Sequence, residues 1–277
     1  MREVFQCLER VLSAGEDAVL ATIVDSSGST PRGPGARMVV TAQGCAAGTV
    51  GGGAVEYESE QAARTVLQTK TSCEATFQLH PNGEQDLGMV CGGEVRVSFR
   101  YLPGGEKSLD WARREYGRCV RPGRVYIFGG GHVSQKLAPA LSAVEFRCVV
   151  LEERAEFCKP ELFPGAEEVR LIDFSRLSQE LTFTKDDYVV IITRGHKDDL
   201  LVQSQVMHTP VRYIGVIGSK QKTAAVTAAL REMGFADRDF ARVHAPIGLP
   251  IRSETPAEIA VSITAQLILV RAGGETK

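Results

Sequence analysis

Apolar residues recur at helical spacing at the start of the chain. Val4, Phe5, Leu8, Val11 and Leu12 fall on one face of residues 2–14, the stripe of an amphipathic helix. Alternation then takes over. VLATIVD (19–25), RMVVTA (37–42), CAAGTV (45–50), EATFQLH (74–80) and EVRVSFRYL (94–102) read as strands, with one helix, GAVEYESEQAARTVLQT (53–69), among them. Turn-rich connections and a single helical insertion predict an α+β domain over residues 1–102. Residues 103–123 are bounded by Pro-Gly pairs and polar between them, and read as a linker carrying one short helix. From 124 to 277 the pattern changes. RVYIFG, FRCVVLE, DYVVIIT and RYIGVIG are apolar on both faces, as strands of a buried parallel sheet are, and they alternate with helical segments. The expected fold is therefore α/β: an N-terminal α+β domain followed by a C-terminal Rossmann-like domain with a parallel sheet. Thr255, Pro256 and Glu258 mark the start of the last helix, with a capping acid and a first-turn proline.

Composition narrows the classes. The 277 residues carry 32 Lys and Arg against 34 Asp and Glu, a formal net charge of -2. Nothing in that balance would hold the chain on nucleic acid or an anionic membrane. Seven cysteines, with no C-x-x-C pair, exclude zinc-ribbon spacing and a secreted disulfide framework. The N-terminus has no apolar signal core, and no run approaches the roughly 18 apolar residues of a membrane span. The expectation is a cytoplasmic protein without stable membrane insertion. The five histidines show no H-x-x-x-H or H-E-x-x-H spacing, which excludes the commonest zinc hydrolase pattern.

The 28 glycines mark the candidate chemistry. A strand runs into Gly129, Gly130 and Gly131, and a helix begins near His132. Such a turn lets the backbone approach a phosphate while free amides at the helix start stabilise its charge. Ser134 stands where G-x-G-x-x-G expects its third glycine. Glu152 ends the next strand roughly 20 residues on, where an acid would meet a ribose hydroxyl, and Arg154 is placed to meet a phosphate instead. Two more loops leave strand ends: Thr193–Asp199, with His196 as an acid, a base or a pterin contact, and Gly218–Lys222, with Ser219 as a helix cap beside two lysines able to hold an anion. In the N-terminal half, Ser26–Gly33 with Arg32, Gly51-Gly52-Gly53 with Glu56, and Gly88–Gly93 enclosing Cys91 are glycine loops able to close on a bulky or anionic ligand. A thiolate at Cys91 would carry sulfur or coordinate a soft metal such as molybdenum. Arg32 and Arg37 are candidate partners for anionic groups.

Several blocks together resemble the xanthine dehydrogenase accessory protein family (XdhC/CoxI). They are SSGSTPRGPGARM (26–38), GTVGGGAVE (48–56) and LGMVCGG (87–93) in the first half. GGGHV (129–133), YIGVIGSKQK (213–222), HAPIGLPI (244–251) and ETPAEIAVSI (254–263) carry it through the second. The family commonly shows T-H-G-H where this chain has Thr193-Arg194-Gly195-His196, and an Asp in place of Glu152. The resemblance implies a cytoplasmic, homodimeric and non-catalytic chaperone that binds the molybdenum cofactor (molybdopterin). It implies further that the cofactor is sulfurated with a cysteine desulfurase and delivered to an apo molybdenum hydroxylase of the xanthine dehydrogenase type. Gly129–His132 would hold its phosphate, with the molybdenum end toward Cys91 and Gly51–Gly53. Two other classes stay open: an NAD(P)-dependent oxidoreductase using His196, which lacks a Tyr-x-x-x-Lys pair, and a nucleotide-sensing module that recruits partners.

Overall fold

A computed structural model describes residues 1–79, 93–120 and 123–274. It divides into two compact units, Met1–Arg121 and Pro122–Lys277. The first holds α1 (Arg2–Ser13), β1 (Ala18–Ser27), β2 (Arg37–Thr41), β3 (Gly44–Gly48), α2 (Gly53–Thr69), β4 (Cys73–Gln78), β5 (Glu94–Leu102) and α3 (Glu106–Cys119). Its strands pair antiparallel in the order β3-β2-β1-β5-β4. Alternation along β1 sends Val19, Ala21 and Ile23 to one face, under Val55, Ala63 and Val66 of α2. Ala18 and Leu20 go to the other, under Phe5, Leu8 and Leu12 of α1 and Leu109 and Ala112 of α3.

The stretch expected to be a linker is thus largely α3, a 14-residue helix docked within the first unit. Its buried face is only Ser108, Leu109 and Ala112, too few and too small to stand out of a polar sequence.

The second unit contains β6 (Val125–Phe128), α4 (His132–Ala143), β7 (Cys148–Glu152), β8 (Glu168–Leu171), α5 (Leu177–Glu180), β9 (Tyr188–Ile191), α6 (His196–Val206), β10 (Tyr213–Val216), α7 (Lys220–Glu232), β11 (Val243–His244) and α8 (Pro256–Arg271). All its strand pairs are parallel, in the order β11-β10-β9-β6-β7-β8. The chain starts in the middle at β6, winds out through β7 and β8, then returns to β9 on the other side of β6. That reversal is the switch point of a doubly wound sheet, where such folds bind ligands at the carboxyl ends of the strands. Burial on both faces explains the unbroken apolar runs. Phe128, Ile191 and Val216 pack with residues of α6 and α7, while Ile127, Val190 and Tyr213 pack with residues of α4 and α8. The start of α8 forms as its sequence indicates. Thr255 Oγ1 accepts the Glu258 N–H (3.3 Å), and the Glu258 carboxylate accepts the Thr255 N–H (2.9 Å). Among the described residues no helix is long and apolar enough to cross a membrane.

The opposite, amino ends of the central strands are clamped by Glu167, just before β8. Its carboxylate accepts from Arg124 (3.1 and 3.2 Å) and from Arg147 (3.0 and 2.7 Å), which precede β6 and β7. Burial alone would raise the Glu167 pKa, but the two guanidinium groups outweigh it and hold it at about 2. Because the folded value lies below the ordinary 4.5, the clamp stabilises fully above that pH and is lost as pH falls toward 2. Allowing for partial solvent screening, the wild type should lose about 2 kcal/mol more stability than Glu167→Gln between pH 5 and pH 2. Urea unfolding across that range measures the difference, and equal slopes would show the clamp to be inert.

Candidate functional site

Three loops of the second unit leave the carboxyl ends of parallel strands and open helices: β6 to α4, β9 to α6 and β10 to α7. Gly129 makes the first turn with φ +107°, and a Cβ there would lie 2.3 Å from the Ile192 carbonyl oxygen at the end of β9. Glycine at 129 is therefore demanded by the fold itself. Gly131, the N-cap of α4, is different. Its φ is −71° and nothing lies within 4 Å of an added Cβ. A Cβ would fit there as far as the chain is concerned, and glycine, a fair N-cap in itself, leaves the helix amides open to an approaching group. His132 is exposed beside it.

Glu152 is only 2% exposed and ends β7 as the sequence indicates. Its carboxylate is fully engaged. It accepts from five donors: the N–H groups of Gly130 (2.6 Å), Glu153 (2.9 Å) and Arg154 (3.1 Å), and Arg154 Nε (3.0 Å) and Nη2 (2.9 Å). Burial opposes the charge, yet the Arg154 and backbone donors win and keep the carboxyl below its usual range. The Arg154 guanidinium also lies 4.0 Å over the Phe157 ring. Glu152 and Arg154 thus form a latch on the glycine turn. Their side chains bind each other, where the sequence suggests separate ligand contacts.

The second and third loops meet. Thr193 Oγ1 donates to Asp199 Oδ1 (2.5 Å), and Asp199, fully buried in the first turn of α6, pairs with the Lys222 ammonium of α7. Ser219 caps α7, its Oγ accepting the Lys222 N–H (3.2 Å). Gly218 sits against the Lys222 stem. Between the two helices runs a cleft of about 440 Å³, lined by His196 and Leu200 on one side and by Ser219, Lys222, Ala225 and Ala229 among others on the other. The structure therefore brings His196 and Ser219 to one cavity. Sequence reasoning missed the Asp199–Lys222 pair, which joins residues far apart in the chain and carries no local signal beyond an acid in a helix first turn.

In the first unit, the Gly51–Gly53 loop closes on itself. The Gly51 N–H donates to Thr49 Oγ1 (3.0 Å), the Gly52 N–H to Glu56 Oε2 (3.3 Å), and Thr49 Oγ1 to the same Glu56 oxygen. Arg32 is exposed. Arg37 is committed elsewhere: it pairs with Glu115 of α3 (3.2 Å) and contacts the sulfurs of Met1 (3.2 Å) and Cys119 (3.0 Å). It serves the packing of α3 and not an external anion. Cys91 lies outside the described residues. Among the described residues no group of three or more His, Cys, Asp or Glu is placed to hold a metal ion.

Known proteins fit this architecture. The XdhC Rossmann domain matches residues 125–267, and the XdhC and CoxI family matches residues 11–78. The Escherichia coli K12 protein YqeB, itself uncharacterized, is 32% identical over 91% of this chain, which spans only 43% of YqeB. A probable subunit of xanthine dehydrogenase from Bacillus subtilis 168 is 23% identical, covering 95% of this chain and 96% of that protein. The molybdenum cofactor insertion chaperone PaoD of Escherichia coli K12 is 21% identical, covering 98% and 88%. The crystal structure of a xanthine dehydrogenase from Bacillus halodurans shares the fold, with a TM-score of 0.83 and 23% identity over 99% of this chain and 97% of that one. Since the Rossmann-domain match alone takes in more than half of the residues, the chain belongs to the XdhC/CoxI family.

Proposed function

We propose that the protein is an accessory factor that takes the molybdenum cofactor as cargo, supports its sulfuration with a cysteine desulfurase and hands it to a xanthine dehydrogenase-type molybdenum hydroxylase. The names of the B. subtilis and PaoD relatives support this reading. So does the chemistry of the turn. The observation that carries it is Gly131, a glycine that neither its φ nor its neighbours require. Its missing side chain serves something that comes from outside, and an anionic group resting on the first amides of α4 is what that end of a helix favours. His132 borders the same position. In this reading Cys91 meets the molybdenum or carries the sulfur, and the factor works as a homodimer in the cytoplasm. The Glu152 carboxylate has no acceptor capacity left for a ribose diol. That favours the carrier reading over an NAD(P)-dependent oxidoreductase.

The test is anaerobic purification from a molybdate-replete bacterial host, with metal analysis and fluorescence of the oxidised pterin. The wild type should carry both. Gly131→Ala should lose no more than about 1 kcal/mol of stability, because alanine fits the backbone there and is only the poorer N-cap, and should lose about tenfold or more in bound molybdenum and pterin, an affinity loss of about 1.4 kcal/mol. Unchanged cargo in that variant would take the glycine turn out of cofactor binding. A tightly bound nicotinamide nucleotide in its place would restore the oxidoreductase.

A further inference from the structure

The cleft between α6 and α7 has walls unlike those of an anion site. α7 lines it with Ala225 and Ala229, four residues apart and so on one face, and Val226 lies beside them. α6 opposes these with Leu200 and, one turn earlier, His196. The polar lining residues, His196, Ser219, Gln221 and Lys222, lie at the starts of the two helices. The one ammonium among them is already neutralised, because Lys222 pairs with the fully buried Asp199. The Ser219 oxygen accepts the Lys222 N–H as the cap of α7, and its O–H is left to donate. The remaining positive character is that of the two helix starts at His196 and Ser219, at one end of an otherwise largely apolar lining. A flat, apolar ring would find two short-side-chain positions to lie against, and hydrogen-bonding groups along its edge. The volume, about 440 Å³, sits at the lower end of the roughly 300–1,000 Å³ usual for small-molecule sites.

We propose that this cleft is a ring subsite, separate from the glycine turn, that takes an uncharged bicyclic heterocycle. The heterocycle's faces lie between Leu200 and the Ala225–Ala229 surface, and its polar edge meets His196 and Ser219. The division of labour follows from the linings: the α4 amides at Gly131 and His132 receive the anion, and the largely apolar cleft receives the ring. The identity of the ring as a pterin rests on the carrier reading above; the preference for a neutral flat ring rests on the cleft alone.

The experiment titrates the full-length protein with 6-hydroxymethylpterin, a neutral fluorescent pterin without phosphate or metal, and follows quenching. Saturable binding is expected for the wild type. Ala225→Leu fills the slot from an exposed helical position that tolerates leucine, and should weaken binding about tenfold or more. Ala228→Leu, also exposed on α7 but outside the lining, should bind as the wild type does. Thermal melts of both variants should coincide with the wild type. No saturable binding, equal binding by Ala225→Leu, or displacement of the probe by inorganic phosphate would overturn the ring subsite. Protein made in a host that lacks the cofactor is used, so that no resident pterin competes with the probe and the result is independent of cargo content. Ring binding lost through Ala225→Leu in a protein that never carries molybdenum would leave the cleft standing and remove the carrier reading.

Discussion

Gly129→Ala should lower the unfolding free energy by about 3–5 kcal/mol. Two costs combine. A side chain at φ +107° is strained wherever it points, at roughly 1–3 kcal/mol. Here it would also press on backbone, 2.3 Å from the Ile192 oxygen and 2.9 Å from its carbonyl carbon. Neither atom can rotate away, because Ile192 donates its own N–H to the Phe128 carbonyl (2.9 Å) and so keeps β6 and β9 in register. Denaturant unfolding of the intact chain reads the loss. A variant as stable as the wild type would mean that the strand ends part easily at the switch point. Set beside Gly131→Ala, two residues on, the comparison separates a glycine the fold needs from one assigned above to a ligand.

Glu152→Gln should cost about 2–4 kcal/mol. The amide keeps the shape, but turns one oxygen into a donor facing the Gly130 N–H or the Arg154 guanidinium. A buried donor is then left without an acceptor, and Arg154 loses its counter-charge. The sign with pH follows from the lowered carboxyl. The latch is fully formed above the ordinary carboxyl value of 4.5 and is lost as pH falls through the lower folded value. The penalty of the substitution should therefore be complete near neutral pH and shrink in acid. Unfolding curves of both proteins at pH 7 and pH 3 check this; a penalty that is the same at both would assign the loss to packing instead of charge.

Much of the fold is legible in the sequence, and the failures share a cause. Runs such as VYIF and YVVI betray strands buried on both faces because every position must be apolar. The capping residues of α8 act within one turn, so they are readable without the fold. For Glu152 the pattern locates the end of a strand but not the partner. What decides its role is Arg154, two residues on, bending back onto it. Arg37 shows the same limit over a longer range: its partner Glu115 lies 78 positions away. Helix α3 stays hidden because Leu109 and Ala112 are its only apolar residues that are fully buried. Local patterns report propensity and burial; a side chain's partner is set by the fold, and a candidate site is made mostly of partners.

The Asp199–Lys222 pair bears on how long a guest stays. Separating α6 from α7 would pull an ammonium from a carboxylate that is shut off from water. The attraction is lost early in that movement and hydration is regained only late, so partial opening is disfavoured and the cleft is kept in one shape. A preformed cleft spends little entropy on ordering when its guest arrives. Differences in affinity among its guests are then expressed mainly in departure rates. In the carrier reading proposed above, residence time is the quantity that matters: a load so held would stay put in transit and leave when another protein takes hold of it.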